Sequence, residues 1–254
     1  MKGLFRAVLW LLLVVAGTGS AFGQKGLKLG LVALPQTTWM LNKDDMSVPQ
    51  DQFKYKTTFG MAAGPSVGYN FHDGIGFRLN FLYSAQGQKY SNYNSEGTLV
   101  NHTRRLNYLK VPLFISLNTG TEFSKVILAA DLGFQVDFLL RARYYNDDQS
   151  YTPDEILFNP NVRDYPSTYK QYSLFNYGPT AALGLDIKLA YNVMGNIRVR
   201  GDYSLTDAEN KDAAYKLYTA GIPDDVRIWD ESRAITKNLT GGLMIGVTYT
   251  FTEY

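Results

Sequence analysis

The stretch from Leu239 to Phe251 alternates without a break. Leu239, Gly241, Leu243, Ile245, Val247, Tyr249 and Phe251 share one parity; Thr240, Gly242, Met244, Gly246, Thr248 and Thr250 share the other. A period of two is a β-strand with one large apolar face and one small or polar face. A tilted strand crosses a bilayer in about 9–11 residues, so this stretch is long enough to do so.

The same pattern recurs upstream, and the spacing predicts seven more strands: Gly26–Leu34, ended by Pro35, then Thr58–Phe71, Ile75–Tyr90, Leu106–Leu117, Val126–Tyr145, Gln171–Tyr191 and Ile197–Leu205. Pro65 lies inside the second and has no N–H for a ladder, so a bulge is expected there. The links alternate long, short, long, short, long, short, long, the short ones lying at His72-Asp73-Gly74, Asn118 to Lys125 and Asn192 to Asn196. Short turns at one end and long loops at the other are the pattern of outer-membrane barrels. The expected fold is therefore all-β: an eight-stranded antiparallel up-and-down transmembrane β-barrel with short periplasmic turns and long extracellular loops, closed by pairing Leu239–Phe251 with Leu27–Ala33. In the last long loop, Thr206-x-x-Glu209 followed by Ala-rich sequence predicts a short capped helix.

Alternation alone does not say which face points out, since a soluble barrel alternates with its apolar face inward. The second face decides. It carries Arg78, Lys110, Asp131, Asp137, Arg141, Arg143, Asp186, Lys188, Arg198, Arg200 and Asp202, interleaved with glycine. Small residues suit the narrow inside of eight strands, and bulky apolar ones the lipid side. A cation facing lipid costs about 2–4 kcal/mol at mid-membrane, whereas inside the barrel it can pair with a carboxylate. We therefore expect a lumen charge network of Arg78, Lys110, Asp131, Asp137, Arg141, Asp186, Lys188, Arg198, Arg200 and Asp202. Two outward aromatic bands are expected: Tyr69, Phe71, Phe77, Tyr191, Tyr249 and Phe251 near the short turns, and Tyr83, Tyr90, Tyr172, Phe175, Tyr177 and Tyr203 near the long loops.

Residues 1–23 read as a secretory signal peptide. Lys2 and Arg6 precede the apolar run Ala7 to Ala16, and Ala21-Phe22-Gly23 offers a cleavage site before Gln24. The barrel domain is then 24–254. After Gln24 no run is long and apolar enough for a membrane helix. Without Lys2 and Arg6, 23 basic residues balance 23 acidic ones, which gives no ground for nucleic-acid binding. With no Cys, thiol catalysis, Cys-ligated metals and disulfides are excluded.

The fourth strand carries Tyr108-Leu109-Lys110-Val111-Pro112-Leu113, which resembles the Y-L-x-[IV]-P-L segment of PorT-type outer-membrane barrels of Bacteroidetes. The leader ending in Gly23, the pairs Gly64-Pro65 and Gly178-Pro179, and the stretch Gly246 to Phe251 are similar to that family too. Thr252-Glu253-Tyr254 continue past Phe251, a departure from a terminal-Phe assembly signal. The resemblance implies an outer-membrane location and, through the family's named member, support of type IX secretion.

Catalytic chemistry is sparse. Of the two His, His72 falls in a turn, and His102 falls in an expected outer loop with Ser91, Ser95 and Glu96, the sole candidates for a lipid-modifying site. Asp44-Asp45, Asp147-Asp148 and Asp224-Asp225 fall in outer loops, where divalent cations are one reading and solvated turns the simpler one. No cofactor and no enzymatic activity are expected. The expected partners are outer-membrane lipid and lipopolysaccharide, the barrel-assembly machinery, and secretion-system or periplasmic proteins. A purely structural or adhesive surface barrel, with 146–170 and 206–237 as its contact surface, is the alternative.

Overall fold

The computed structural model describes residues 25–47, 53–72, 74–93, 99–119, 124–146, 172–210 and 234–252. The leader and its cleavage site, Asp147-Asp148, Asp224-Asp225, Ser95, Glu96 and the Ala-rich stretch after Asn210 lie outside these residues, whereas Thr206 to Glu209, expected as a helix cap, is irregular chain in which Glu209 bridges to Tyr172. Among the described residues the strands are β1 (Gly26–Leu41), β2 (Phe53–Lys56), β3 (Thr58–His72), β4 (Ile75–Asn80), β5 (Leu82–Tyr93), β6 (Leu99–Asn118), β7 (Val126–Asn146), β8 (Phe175–Ala190), β9 (Val193–Tyr203) and β10 (Lys237–Thr252), with a short helix α1 (Lys43–Ser47) after β1.

All pairings are antiparallel and they close a ring. From β1 it runs through β10, β9, β8, β7 and β6 to β4 with β5, then to β3, which pairs back onto β1. The ten segments make eight staves. β4 and β5 hold one register against both neighbours, Ile75↔Leu117 and Leu82↔Lys110 on β6, and Asn80↔Ser66 and Tyr83↔Ala63 on β3. β2 leads into β3 through Thr57. The closing pair is the expected one, Leu27↔Phe251 through Ala33↔Ile245.

The prolines act differently from expectation. β1 does not end at Pro35 but continues to Leu41, because the β10 register resumes unchanged at Gln36↔Gly242. Pro35 removes one N–H, and its exposed ring faces outward. Nor is there a bulge at Pro65. The registers on either side place it opposite Phe81, whose N–H donates to the Pro65 carbonyl at 3.0 Å. Pro65 has no N–H to return, so the ladder opens at Phe81 without slipping. That gap is what separates β4 from β5.

A bulge does occur on β7. Tyr108 pairs with Leu139 and Asn107 with Arg141, so Leu140 is an extra residue. One extra residue reverses which parity faces in. Leu139 is buried, Leu140 and Arg141 are both exposed, and Ala142 returns inward. Arg141 and Arg143, expected in the lumen, therefore point outward.

The stretch expected as a loop between Ser91 and Arg105 is mostly strand. β5 and β6 stay paired up to Tyr93↔Leu99. At about 3.3 Å per residue, the 20 residues of β6 extend far past one membrane crossing. The hairpin of β5 and β6 thus projects beyond the long-loop end. At the other end, His72 pairs with Ile75 around a two-residue turn, with Gly74 at φ 87°.

The outer surface is apolar. Leu31, Leu132, Leu183, Val199 and Ile245 are all exposed. Aromatics gather at both ends, with Phe71 and Phe77 rings 5.3 Å apart and Tyr249 and Phe251 4.8 Å apart at the short-turn end, and Phe138 and Phe175 5.6 Å apart towards the loops. Tyr90 and Tyr172, expected in the outer band, are instead buried inside.

Candidate functional site

The interior is the chemically distinctive region. β9 shapes much of it, because its period of two delivers Asn196, Arg198, Arg200 and Asp202 to the lumen, each buried.

Two networks form around these side chains. Towards the short turns, Arg198 donates through Nη2 to both oxygens of Asp186, at 2.6 and 2.8 Å, and through Nη1 to Asp131. Asp131 also accepts from Arg78 Nη1 at 3.1 Å and from Ser116. Asn196 donates to Asp186 at 2.8 Å and accepts from Thr248 at 2.7 Å. In mid-barrel, Asp202 accepts from Lys110 Nζ at 3.2 Å, Arg200 Nε at 2.9 Å, Thr240 at 2.7 Å and Thr180. Arg200 donates to Gln135 as well, and its guanidinium lies 5.4 Å from the Phe114 ring centre. Buried charges persist when they are paired and hydrogen-bonded on most sides, which these are.

Glycine makes room for one of the arginines. Gly184 pairs with Arg198 across β8 and β9, and a Cβ there would sit 2.0 Å from the Ile197 carbonyl oxygen, 2.5 Å from Arg198 Cα and 2.9 Å from Arg198 Cγ. The β9 backbone and the base of the arginine side chain occupy the space that a side chain would need. Gly184→Val is expected to push β9 away from β8 beside Arg198 and to destabilise the barrel by about 1–3 kcal/mol, read as a lower midpoint of heat modifiability on gels.

Towards the long loops the lumen closes. Met40, Leu106, Tyr108, Leu139, Tyr172 and Ala208 form a buried cluster. The segment after β9 lies across the mouth: Ser173 N–H donates to Ala208 O at 2.9 Å, and Ala208 N–H to Thr236 O at 2.9 Å. Arg104 Nη1 meets Glu209 Oε1 at 3.4 Å, and Arg104 lies 5.2 Å from the Tyr90 ring centre. Between Lys110, Gln135, Asp137 and Asp202 there remains a cavity of about 10 Å³, room for no more than one water.

Of the residues expected in the lumen, Arg78, Lys110, Asp131, Asp186, Arg198, Arg200 and Asp202 are brought together. Asp137 is buried opposite Lys110 in register. Lys188 stands at the short-turn mouth, its Nζ 5.7 Å from the Tyr191 ring centre. Arg141 faces outward. Among the described residues, three inward charges lie outside the expected network. Lys28 was legible, since it shares the parity opposite Leu27, Leu29 and Leu31. Arg104 and Glu209 were not, because one was assigned to a loop and the other to a helix cap. In the motif Tyr108 to Leu113, Tyr108, Lys110 and Pro112 face in, whereas Leu109, Val111 and Leu113 lie on the outward parity.

Of the lipid-modifying candidates, Ser95 and Glu96 lie outside the described residues, and His102 stands on β6 in register with Tyr90. Ser91 is buried and donates to Asn101 Oδ1 at 2.6 Å. Asp44 accepts from Ala234 N–H at 2.6 Å, so it ties α1 to the segment that leads into β10. Among the described residues no group of three His, Asp or Glu side chains is placed to hold a metal ion.

Solved structures with similar shape include the outer membrane protein OprG of Pseudomonas aeruginosa, at 14% identity and TM-score 0.44, covering 92% of this chain and 100% of that one. Neisserial surface protein A is similar at 15% identity and TM-score 0.42, covering 90% and 99%. Ail, the attachment invasion locus protein of Yersinia pestis, is similar at 14% and 0.37, covering 89% and 99%. No curated protein sequence matches the chain. The family model for the outer membrane protein beta-barrel domain matches residues 23–210. With a closed ring of eight staves, apolar outside and charged within, the chain belongs to the outer membrane protein beta-barrel domain family and resides in the outer membrane.

Proposed function

We propose that this barrel is a sealed, non-enzymatic platform that serves protein secretion of the type IX kind, through contacts made by its outer loops and periplasmic turns. The observation that carries the sealed platform is the packed lumen. Arg198, Arg200 and Lys110 are buried in ion pairs there, and the cavity beside them is about 10 Å³. A barrel of eight strands is narrow enough to be filled by its own side chains. Passage of a solute would require breaking several buried pairs at once. The secretory role rests on the likeness of Tyr108 to Leu113 and of Gly246 to Phe251 to PorT-type barrels.

The two parts are tested separately. In planar bilayers the purified barrel is expected to give no stable ion conductance above background, and steady single-channel steps would remove the sealed lumen. Deleting the gene is expected to reduce the amount of type IX cargo in the medium while leaving other outer-membrane proteins in place. Normal secretion would sink the secretory role and leave a structural or adhesive barrel.

A further inference from the structure

The short-turn end of the lumen holds more positive charge than its carboxylates match. Asp131 Oδ2 accepts from both Arg78 and Arg198, and both oxygens of Asp186 accept from Arg198. No carboxylate remains for Lys28, which forms no ion pair and no side-chain hydrogen bond among the described residues. Three cations therefore share two carboxylates. The excess is local, because in mid-barrel Lys110 and Arg200 stand against Asp137 and Asp202. Buried or half-buried charge persists only when something balances it.

Register sets the excess in one row. Arg78 on β4, Gly68 on β3, Lys28 on β1 and Thr250 on β10 are successive partners across four strands, all on the inward parity. Gly68 leaves a gap between the two cations. A Cβ there would stand 3.6 Å from Lys28 Cβ and 3.9 Å from Arg78 Cα. One row nearer the turns, Gly76, Asn70 and Gly26 are partners, so Asn70 lies between two more glycines. Asn70 is 4% exposed and Thr250 0% exposed, yet Asn70 Nδ2 and Thr250 Oγ1 have no hydrogen-bond partner. Buried donors are ordinarily satisfied, and here two of them flank an unmatched ammonium. The place is open to the periplasm. The neighbours of Lys28, Leu27 and Leu29, pair with Phe251 and Tyr249 of the lower aromatic band, and Lys28 and Arg78 are each partly exposed.

We propose that this mouth binds one small oxyanion of the phosphate class from the periplasm, held by Lys28 and Arg78, with Asn70 and Thr250 donating to its remaining oxygens. Donors that converge from several strands suit an anion with several oxygens. The bound anion balances the excess charge. It also ties β10, β1, β3 and β4 together across the seam where the first and last strands meet.

The test uses the full mature barrel in an uncharged detergent, titrated calorimetrically with inorganic phosphate or with chloride at matched ionic strength. Phosphate is expected to bind saturably, one per barrel, at least about tenfold more tightly than chloride. K28Q is expected to weaken phosphate binding about tenfold, and T250V, which changes no charge, about threefold. K125Q removes an exposed charge at the same end and is expected to bind as the parent does. No saturable phosphate binding would mean that Lys28 is merely hydrated, and equal binding of chloride would mean general screening; either overturns the proposal. So would parent-like binding by K28Q, or an equal loss in K125Q. Unheated gel mobility reports folding. Should K28Q fail to fold, unchanged binding by T250V overturns the proposal by itself.

Discussion

Asp131→Ala is expected to destabilise the folded barrel by about 3–5 kcal/mol. Asp131 is fully buried and accepts from both Arg78 and Arg198. Removing it leaves two guanidinium groups facing one another, with only Asp186 to balance them. The penalty comes from the charge left behind, not from the worth of the bonds themselves. The comparison that shows this is Asp131→Ala combined with Arg198→Met. The double variant removes charge of both signs and is expected to be more stable than Asp131→Ala alone. The measurement is urea-induced unfolding from lipid vesicles, followed by tryptophan fluorescence and by gel mobility. A single-variant loss below 1 kcal/mol would mean that the lumen is wet enough to screen the pair.

The second large effect concerns the outer face. Ile245→Arg places a cation at mid-membrane on β10 and is expected to cost about 2–4 kcal/mol in the same assay. Ile245 pairs with Ala33 on one side and with Ile197 on the other, half exposed and away from both aromatic bands. Leu239→Arg is six residues up the same strand, level with Trp39, and is expected to cost at most about 1 kcal/mol. A depth-dependent penalty is the signature of lipid contact. Equal costs at the two positions would mean that the face meets water.

Fold and site were legible in the sequence to different extents. The strands were visible because a stave that meets lipid on one side and a crowded lumen on the other must alternate large with small. Closure of β10 onto β1 followed, since a membrane leaves no edge unpaired. Where alternation is unbroken, as on β9, the expected inward charges Arg198, Arg200 and Asp202 do face the lumen, whereas Lys188 falls where the β8 register shifts. Errors arose where one residue changes the count. Leu140 is an ordinary leucine in an apolar run, and nothing local marks it as the bulge that turns Arg141 outward. Pro35 and Pro65 looked like punctuation, but each removes a single N–H from a ladder held by its neighbours over a dozen other positions.

The period-two pattern, the spacing of the links and the sign of the second face were sufficient, without coordinates, to determine a membrane barrel of eight staves with a charged interior. Those properties follow from local alternation and from the energy of placing charge in lipid. Partnership was decided only by the tertiary structure. Arg198 meets Asp131 and Asp186 because three separate strands converge on one axis, and Arg104 meets Glu209 because the segment after β9 lies across the mouth. The same is true of Arg141 and Arg143, which one unpaired residue turns onto the outer wall. Such contacts depend on register summed around the whole ring, and no stretch of the chain carries that sum by itself.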